Sequence, residues 1–278
     1  MVPTLFGGLV DDASLLPPSF ASLPDAVVKH GEHRSAWFAG LLGPLLVPAT
    51  VIGAEVPSPG LPVALIGDVA LSAVPVAVEK LRAAGAVVFH VEAAVARRGE
   101  DPQPGLAGLC ALAGDDQDLE VYAEIPLTWG LLAALDTLAG CRARGTRIAP
   151  KFRVGGLAAE LFPTPVELAA VICACRDRDL PFRLAAGLRH AIRHTDPETG
   201  FTHHGFLNVL AAAILATGGG EVAEVAEVLA ATHPVPLVEP VRGRRDEPRP
   251  LFAGFGAANV VEPLTELIRL GLIDGGYG

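Results

Sequence analysis

Lysine is almost absent from this chain: its 21 basic residues divide into 3 lysines and 18 arginines. Positive charge as a whole is short, since 31 acidic residues leave a net charge of −10. A surface of that sign repels nucleic acid and anionic lipid, so no nucleic acid and no membrane are expected as partners. The one basic cluster, Arg242-Gly-Arg-Arg245, is followed at once by Asp246 and Glu247 and reads as a solvated loop. Cysteine is scarce, and four in 278 residues cannot be the framework of a disulfide-stapled scaffold. Cys110, Cys141, Cys173 and Cys175 show no Cys-x-x-Cys spacing and read as buried thiols acting as small hydrophobes. Every apolar run is cut by Gly, Pro or charge before about 18 residues, so no membrane-spanning helix is expected. The opening Met-Val-Pro-Thr-Leu-Phe has no basic n-region and no apolar h-region. No signal peptide is expected, and the cytoplasm is the default address.

What is plentiful is apolar bulk. The chain is 51% hydrophobic with a mean hydropathy of +0.44, which excludes a disordered polymer. No sequence repeat is present, but a structural rhythm is. Runs at Thr4–Val10, Gly43–Val47, Val63–Gly67, Val87–Val91, Glu120–Ile125, Arg147–Lys151, Phe182–Ala186 and Leu251–Phe255 read as strands. Helical spacing follows most of them, at Pro24–His30 (extending toward Leu41), Val74–Ala84, Trp129–Leu138, Pro165–Arg178, Gly205–Ala216 and Glu262–Leu270. Eight strands alternating with helices predict a single-domain α/β fold, the (β/α)8 TIM barrel. An open doubly wound sheet is the competitor, but no Gly-x-Gly-x-x-Gly follows the first strand. The stretch 218–250 reads as an insertion before the last strand: one helix, Glu221–Ala231, then a Pro/Arg-rich loop from His233 to Pro250.

In a barrel of this kind, sites form where the C-terminal strand ends meet. Alternation along each strand then sorts inward from outward side chains. It predicts Val88, His90 and Glu92 inward on the fourth strand, with Val87, Phe89 and Val91 facing helices. Tyr122 and Glu124 point inward on the fifth strand, Ala149, Lys151 and Arg153 on the sixth, and Asp68 continues the inward set of the third. Asp68, His90, Glu92, Glu124, Lys151 and Arg153 therefore converge on one opening. Ionisable side chains are almost never fully buried unpaired, so this convergence implies either a ligand site or structural ion pairs such as Glu124 with Arg153. Lys29 and Lys80 lie in helical patterns and read as solvated.

The later units add candidates. Lys151-Phe-Arg-Val-Gly-Gly156 ends a strand with two cations and two glycines. Arg153, Gly155 and Gly156 suit an anion cradle. Lys151 suits a Schiff base if a neighbouring cation lowers its pKa. His190 and His204 are candidate acid/base groups, and Asn208 shares a helix face with His204. Gly254, Gly256 and Asn259 lie in a turn that holds phosphate in many barrels. Asp12, beside Asp11, is a candidate ligand-binding carboxylate at the end of the first strand.

These stretches resemble a family of uncharacterised bacterial (β/α)8-barrel proteins. The resemblance is carried by the opening Asp-Asp-Ala-Ser-Leu-Leu-Pro-Pro, by Lys151-x-Arg-x-Gly-Gly, by Ala-Gly-Leu-Arg-His190 and by His204-Gly-Phe-Leu-Asn. The Gly-rich turn before Glu262-Pro263 completes it. The resemblance places a lysine in relatives where Arg183 stands, and a Ser/Cys-rich turn where Ala257-Ala-Asn259 stands. It implies a barrel and supplies no reaction.

The leading functional expectation is an enzyme acting on a small anionic metabolite, carboxylated or phosphorylated, by acid/base or Schiff-base chemistry. Its class would be a lyase of aldolase type or an isomerase, with Lys151, Glu124, His190 and His204 as catalytic candidates. No cofactor is required by this scheme. A metal-dependent barrel enzyme is the alternative, with Asp68, His90, Glu92 and Glu124 as ligands of a divalent ion. A non-catalytic ligand-binding or interaction protein is the third. Association into a homo-oligomer is left open by the sequence.

Overall fold

The computed structural model describes residues 1–52 and 59–275. Eight parallel strands close into a barrel: β1 (Val10–Asp12), β2 (Leu42–Pro48), β3 (Pro62–Gly67), β4 (Val87–Ala94), β5 (Glu120–Glu124), β6 (Ile148–Arg153), β7 (Phe182–Ala185) and β8 (Phe252–Ala257). Closure is made by β1, which pairs Val10 with Phe255 of β8 and with Leu42 of β2. The expected (β/α)8 barrel is therefore observed. Among the described residues, no helix is long and apolar enough to cross a membrane.

Helices α1 (Leu23–Arg34), α2 (Val74–Ala83), α3 (Gln103–Asp115), α4 (Leu131–Ala143) and α5 (Pro165–Arg176) follow β1, β3, β4, β5 and β6. Residues 53–58, between β2 and β3, lie outside the described ones. Helices α6 (Phe206–Thr217), α7 (Val222–Ala230) and α8 (Val235–Gly243) separate β7 from β8, and α9 (Val261–Arg269) follows β8. Local chemistry starts these helices where the sequence says it should. The Ser22 hydroxyl accepts the Asp25 amide at the head of α1. Thr164 and Glu167 form a reciprocal capping box at α5, with Pro165 in its first turn.

Several expectations fail in detail. Thr4–Val10 is not a strand: Thr4–Phe6 forms a short 3-10 turn, and Leu5, Phe6 and Leu9 are fully buried. Helix α3 was not expected, because Gly105, Gly108 and Gly114 dilute its pattern. Gly105 is required there, since a Cβ would fall 2.0 Å from the Val95 carbonyl oxygen. The loop expected over His233–Pro250 contains α8, whose first turn accepts Pro236 because its missing N–H has no helical partner there. Cys110 and Cys141 are not free thiols but form a disulfide between α3 and α4, with Cα atoms 6.4 Å apart. Cys173 and Cys175 are buried free thiols on α5, as expected.

The parity of β4 is corrected by a bulge. Val63 pairs with Val88, yet Ala64 pairs with His90, so Phe89 is an extra residue in the ladder. Val88 consequently shares the side of Val63, on the outer face, instead of pointing inward. Val87 and Phe89, expected beneath helices, are 49% and 51% exposed.

The main apolar core lies between strands and helices, and a small second cluster of Ala13, Leu46 and Ala64, with Leu16 and Ile66 against it, lies apart from it. The floor is closed by Arg249. Its guanidinium donates to the carbonyls of Phe252 (2.6 Å), Leu5 (2.8 Å), Ala253 (2.9 Å) and Gly7 (3.0 Å). Burial pulls its pKa down to about 10. Removing that donor set strands buried carbonyls, so Arg249→Met is expected to cost about 3–5 kcal/mol in urea unfolding. A loss below about 1 kcal/mol would mean that Arg249 does not hold the floor.

Candidate active site

The barrel axis is polar from floor to mouth. Arg183 of β7 sits low, with its guanidinium carbon 5.2 Å from the centroid of the Tyr122 ring. It binds the Asp11 carboxylate closely and places Nε 3.1 Å from Glu92 Oε1. Gly254 of β8 leaves room for this side chain: a Cβ there would fall 3.3 Å from Arg183 Nη2 and 2.7 Å from the Leu9 carbonyl oxygen. His90 Nε2 lies 3.2 Å from Glu92 Oε1 and 3.8 Å from Asp11 Oδ2, and its ring meets Tyr122 edge-on. Above them, Lys151 Nζ donates to Glu92 Oε2 at 2.7 Å and faces Glu124 Oε2 at 3.0 Å. Glu124 Oε1 accepts from Arg153 at the rim, with Nη2 at 3.0 Å.

Charge alternates along this column, and burial makes the pairing obligatory. Burial alone would raise the Glu92 pKa, but Lys151, the His90 hydrogen bond and Arg183 hold it well below the usual carboxylate value. Glu124 is lowered in the same way by Lys151 and Arg153, against burial. For Lys151, burial pulls down and the two glutamates overcome it, leaving its pKa above the ordinary lysine value. Asp11 is the exception: complete burial raises its pKa despite Arg183 and His90, and its Oδ1 has no hydrogen-bond partner. That oxygen fills the space that a side chain at position 43 would need, 2.0 Å from a Cβ built on Gly43.

Of the expected site residues, His90, Glu92, Glu124, Lys151 and Arg153 do come together. Glu124 and Arg153 line a pocket of about 140 Å³ that opens beside the C-terminal ends of β4, β5 and β6, lined also by Arg98, Ile125, Leu127 and Glu160. Lys151 lies beneath it. The expectation that Arg153 lowers the pKa of Lys151 is overturned, because two carboxylates stand closer than any benefit that cation could bring.

The other candidates leave the site. Asp12 turns outward from β1, where its Oδ2 meets His30 Nδ1 of α1 at 3.1 Å and its Oδ1 accepts the Ser14 amide. Asp68 accepts the Thr50 amide at 3.0 Å and so fastens the loop after β2. Gly155 packs on backbone, since a Cβ would fall 2.8 Å from Gly187 Cα, and Gly156 is covered by Leu161. Gly256 makes room for Leu46 inside the wall in the same fashion. Asn259 accepts the Val261 amide at the start of α9 and touches Glu262.

The histidines are engaged elsewhere in the fold. His190 Nδ1 pairs with Glu266 of α9 at 2.7 Å, and its ring begins a half-buried stack with His194 and His203. His204 is buried between Arg193, which donates to Nδ1, and the Pro163 carbonyl, which accepts from Nε2 at 2.8 Å. Desolvation lowers its pKa to about 4, so it stays neutral and takes no proton near neutrality. Asn208 accepts the Arg193 amide and donates to the carbonyls of Val228 and Ala231, closing the end of α7.

One residue of the buried column lies outside the expected set. Arg183 lies between Phe182 and Leu184, both buried outward, so strand parity already marked it as inward. Of the two carboxylates expected at the end of the first strand, Asp11 points inward and Asp12 does not.

Asp11, His90 and Glu92 are close enough together to hold a metal ion. Their chemistry does not suit one, because Arg183 holds both carboxylates and Lys151 holds Glu92. Two buried cations at those oxygens oppose a third. The alternative set with Asp68 and Glu124 is dispersed, since Asp68 serves Thr50 and Glu124 serves Lys151 and Arg153.

No protein-family model matches this chain, and no curated protein matches it. Among solved structures, dihydropteroate synthase from Xanthomonas albilineans in complex with 7,8-dihydropteroate is 14% identical, covering 96% of this chain and 94% of that one at a TM-score of 0.43. The same enzyme with indole-2-carboxylic acid and 6-chloroguanine is 14% identical, with coverages of 98% and 96% and a TM-score of 0.42. At those values the likeness carries no argument about chemistry, and the barrel rests on its own strand pairing.

Two outcomes follow from this geometry. Lys151→Met leaves carboxylates buried without their shared cation and is expected to cost about 3–5 kcal/mol in denaturant unfolding, most of it recovered in the double variant with Glu92→Gln. His204 binds a proton more weakly folded than unfolded, so stability falls as pH drops from the ordinary histidine value of 6.5 toward about 4. Between pH 7 and pH 5 this side chain should remove about 2 kcal/mol. His204→Gln should lose that part of the pH dependence; an unchanged profile would contradict the buried neutral imidazole.

Proposed function

We propose that this barrel is an enzyme acting on a small anionic metabolite, with Arg153 as the anion clamp and Glu124 as the proton-transfer group. The observation that carries this reading is the Glu124 carboxylate, bracketed by Lys151 below and Arg153 above, at the edge of a pocket it shares with Arg153. An isolated salt bridge would account for Arg153 and Glu124 alone. It would not account for a buried lysine holding the second oxygen of the same carboxylate from beneath.

The bracket gives Glu124 a switchable basicity. In the free protein two cations keep it ionised and weakly basic. An anionic ligand that takes Arg153 removes one of them and closes the pocket to water, and both changes raise the carboxylate's proton affinity. Glu124 then stands as a general base beside the bound group, while Lys151 steadies the carboxylate from below and returns charge as the proton moves. Proton abstraction next to a carbonyl fits this arrangement, which supports isomerase or lyase chemistry of the aldolase type. Lys151 acts here through Glu124 as a positioning residue. A Schiff base on it would first need the loss of a proton that two carboxylates retain.

The test is proton exchange in D2O. Carboxylated and phosphorylated carbonyl compounds are incubated with the protein, and loss of the hydrogen next to the carbonyl is followed by NMR. Exchange with at least one of them is expected, reduced about 10²–10⁴-fold by Glu124→Gln. Exchange that persists in that variant would remove Glu124 from its role, and exchange with none would count against proton abstraction at this mouth.

A further inference from the structure

We infer that the mouth pocket recognises a zwitterion: a small aliphatic acid that also carries an ammonium group, with its acid on Arg98 and Arg153 and its ammonium on Glu160. The inference rests on Arg153 and Glu124 being ligand-facing, as proposed above, and it names the class of molecule they receive.

Four charged side chains line this pocket: Arg98, Glu124, Arg153 and Glu160. Glu124 and Arg153 face each other 3.0 Å apart, the pair that a bound acid would separate. Arg98, in the loop between β4 and α3, and Glu160, in the short turn Ala159–Leu161, make no salt bridge among the described residues, with each other or with any third group. Glu167, whose carboxylate also feels Arg98, is engaged in the Thr164 cap. An uncommitted cation and an uncommitted anion thus look into one small space without cancelling. A simple anion would satisfy Arg98 and leave Glu160 repelling it. A ligand bearing both charges satisfies both.

The rest of the pocket sets size and character. Ile125, Pro126, Leu127 and Leu161 supply its apolar lining. A cavity of about 150 Å³ takes a body the size of benzene, so about 140 Å³ suits a short aliphatic molecule. An acid and an ammonium on one short aliphatic body describe a small amino carboxylic acid.

The experiment is calorimetric titration at neutral pH with matched probes. L-valine, L-leucine and L-alanine are each compared with the acid lacking the amine and with the amine lacking the acid. At least one amino acid should bind tenfold or more tightly than both of its mates. Glu160→Gln should abolish its advantage over the acid alone, and Arg98→Gln should weaken amino acid and acid alike, by about tenfold. Both side chains are exposed, so an unchanged thermal midpoint will show that the variants are folded. If the acids bind as well as the amino acids, and only Arg153→Ala weakens them, the zwitterion inference fails while the anion clamp stands. If neither amino acids nor acids bind, the inference and the clamp fall together.

Discussion

Lys151 between Glu92 and Glu124 is the contact on which the interior depends. A lone ammonium or carboxylate inside a protein costs several kcal/mol of lost hydration even after relaxation. Here the column holds Arg183, Lys151 and Arg153 against Asp11, Glu92 and Glu124, three charges of each sign. Each carboxylate but Asp11 meets two cations, and Lys151 joins the lower pair to the upper one. Without it, the buried group around Arg183 and the group that reaches the mouth would be separate. The barrel wall is shaped to the column: Gly43 yields to Asp11 and Gly254 yields to Arg183.

That column also divides labour by depth. Charges at the level of Arg183 and His90 are closed to solvent, whereas Glu124 and Arg153 border the pocket. The pH behaviour follows the same division. Glu92 and Glu124 lie below their ordinary values and Lys151 above its own, so their contribution to stability is complete from roughly pH 6 to pH 9. It is lost in acid as the two glutamates protonate, and in alkali as Lys151 gives up its proton. A network of this kind holds a mouth carboxylate in one place and one state until something binds.

The sequence made the barrel and half of the site legible, for an identifiable reason. Strand alternation is local, so His90 with Glu92, and Lys151 with Arg153, declare their side of the sheet two residues apart. Tyr122 and Glu124 do the same on the neighbouring strand. Alternation misleads where the ladder slips: the bulge at Phe89 reverses Val88, and a first strand ending at Val10 leaves the opposite directions of Asp11 and Asp12 unread. His204 and Asn208 mislead for another reason. Their partners, the carbonyls of Pro163, Val228 and Ala231, arrive from other elements, and a cluster of histidines in sequence gives no sign of them. The glycines after Lys151 misled for a related reason, since close backbone packing and ligand approach both call for glycine. Arg183 was readable by the same alternation that found Lys151.

Because the chain has only 3 lysines, the central contact can be observed directly. Carbon-13 labelling of the lysine ε positions should give three NMR signals, two of them from the exposed Lys29 and Lys80. The third, assigned by its absence in a Lys151 variant, should keep the shift of a charged ammonium as the pH rises past the ordinary lysine value of about 10.4. A Lys151 signal that turns neutral below that value would mean that the ammonium is not held between two carboxylates.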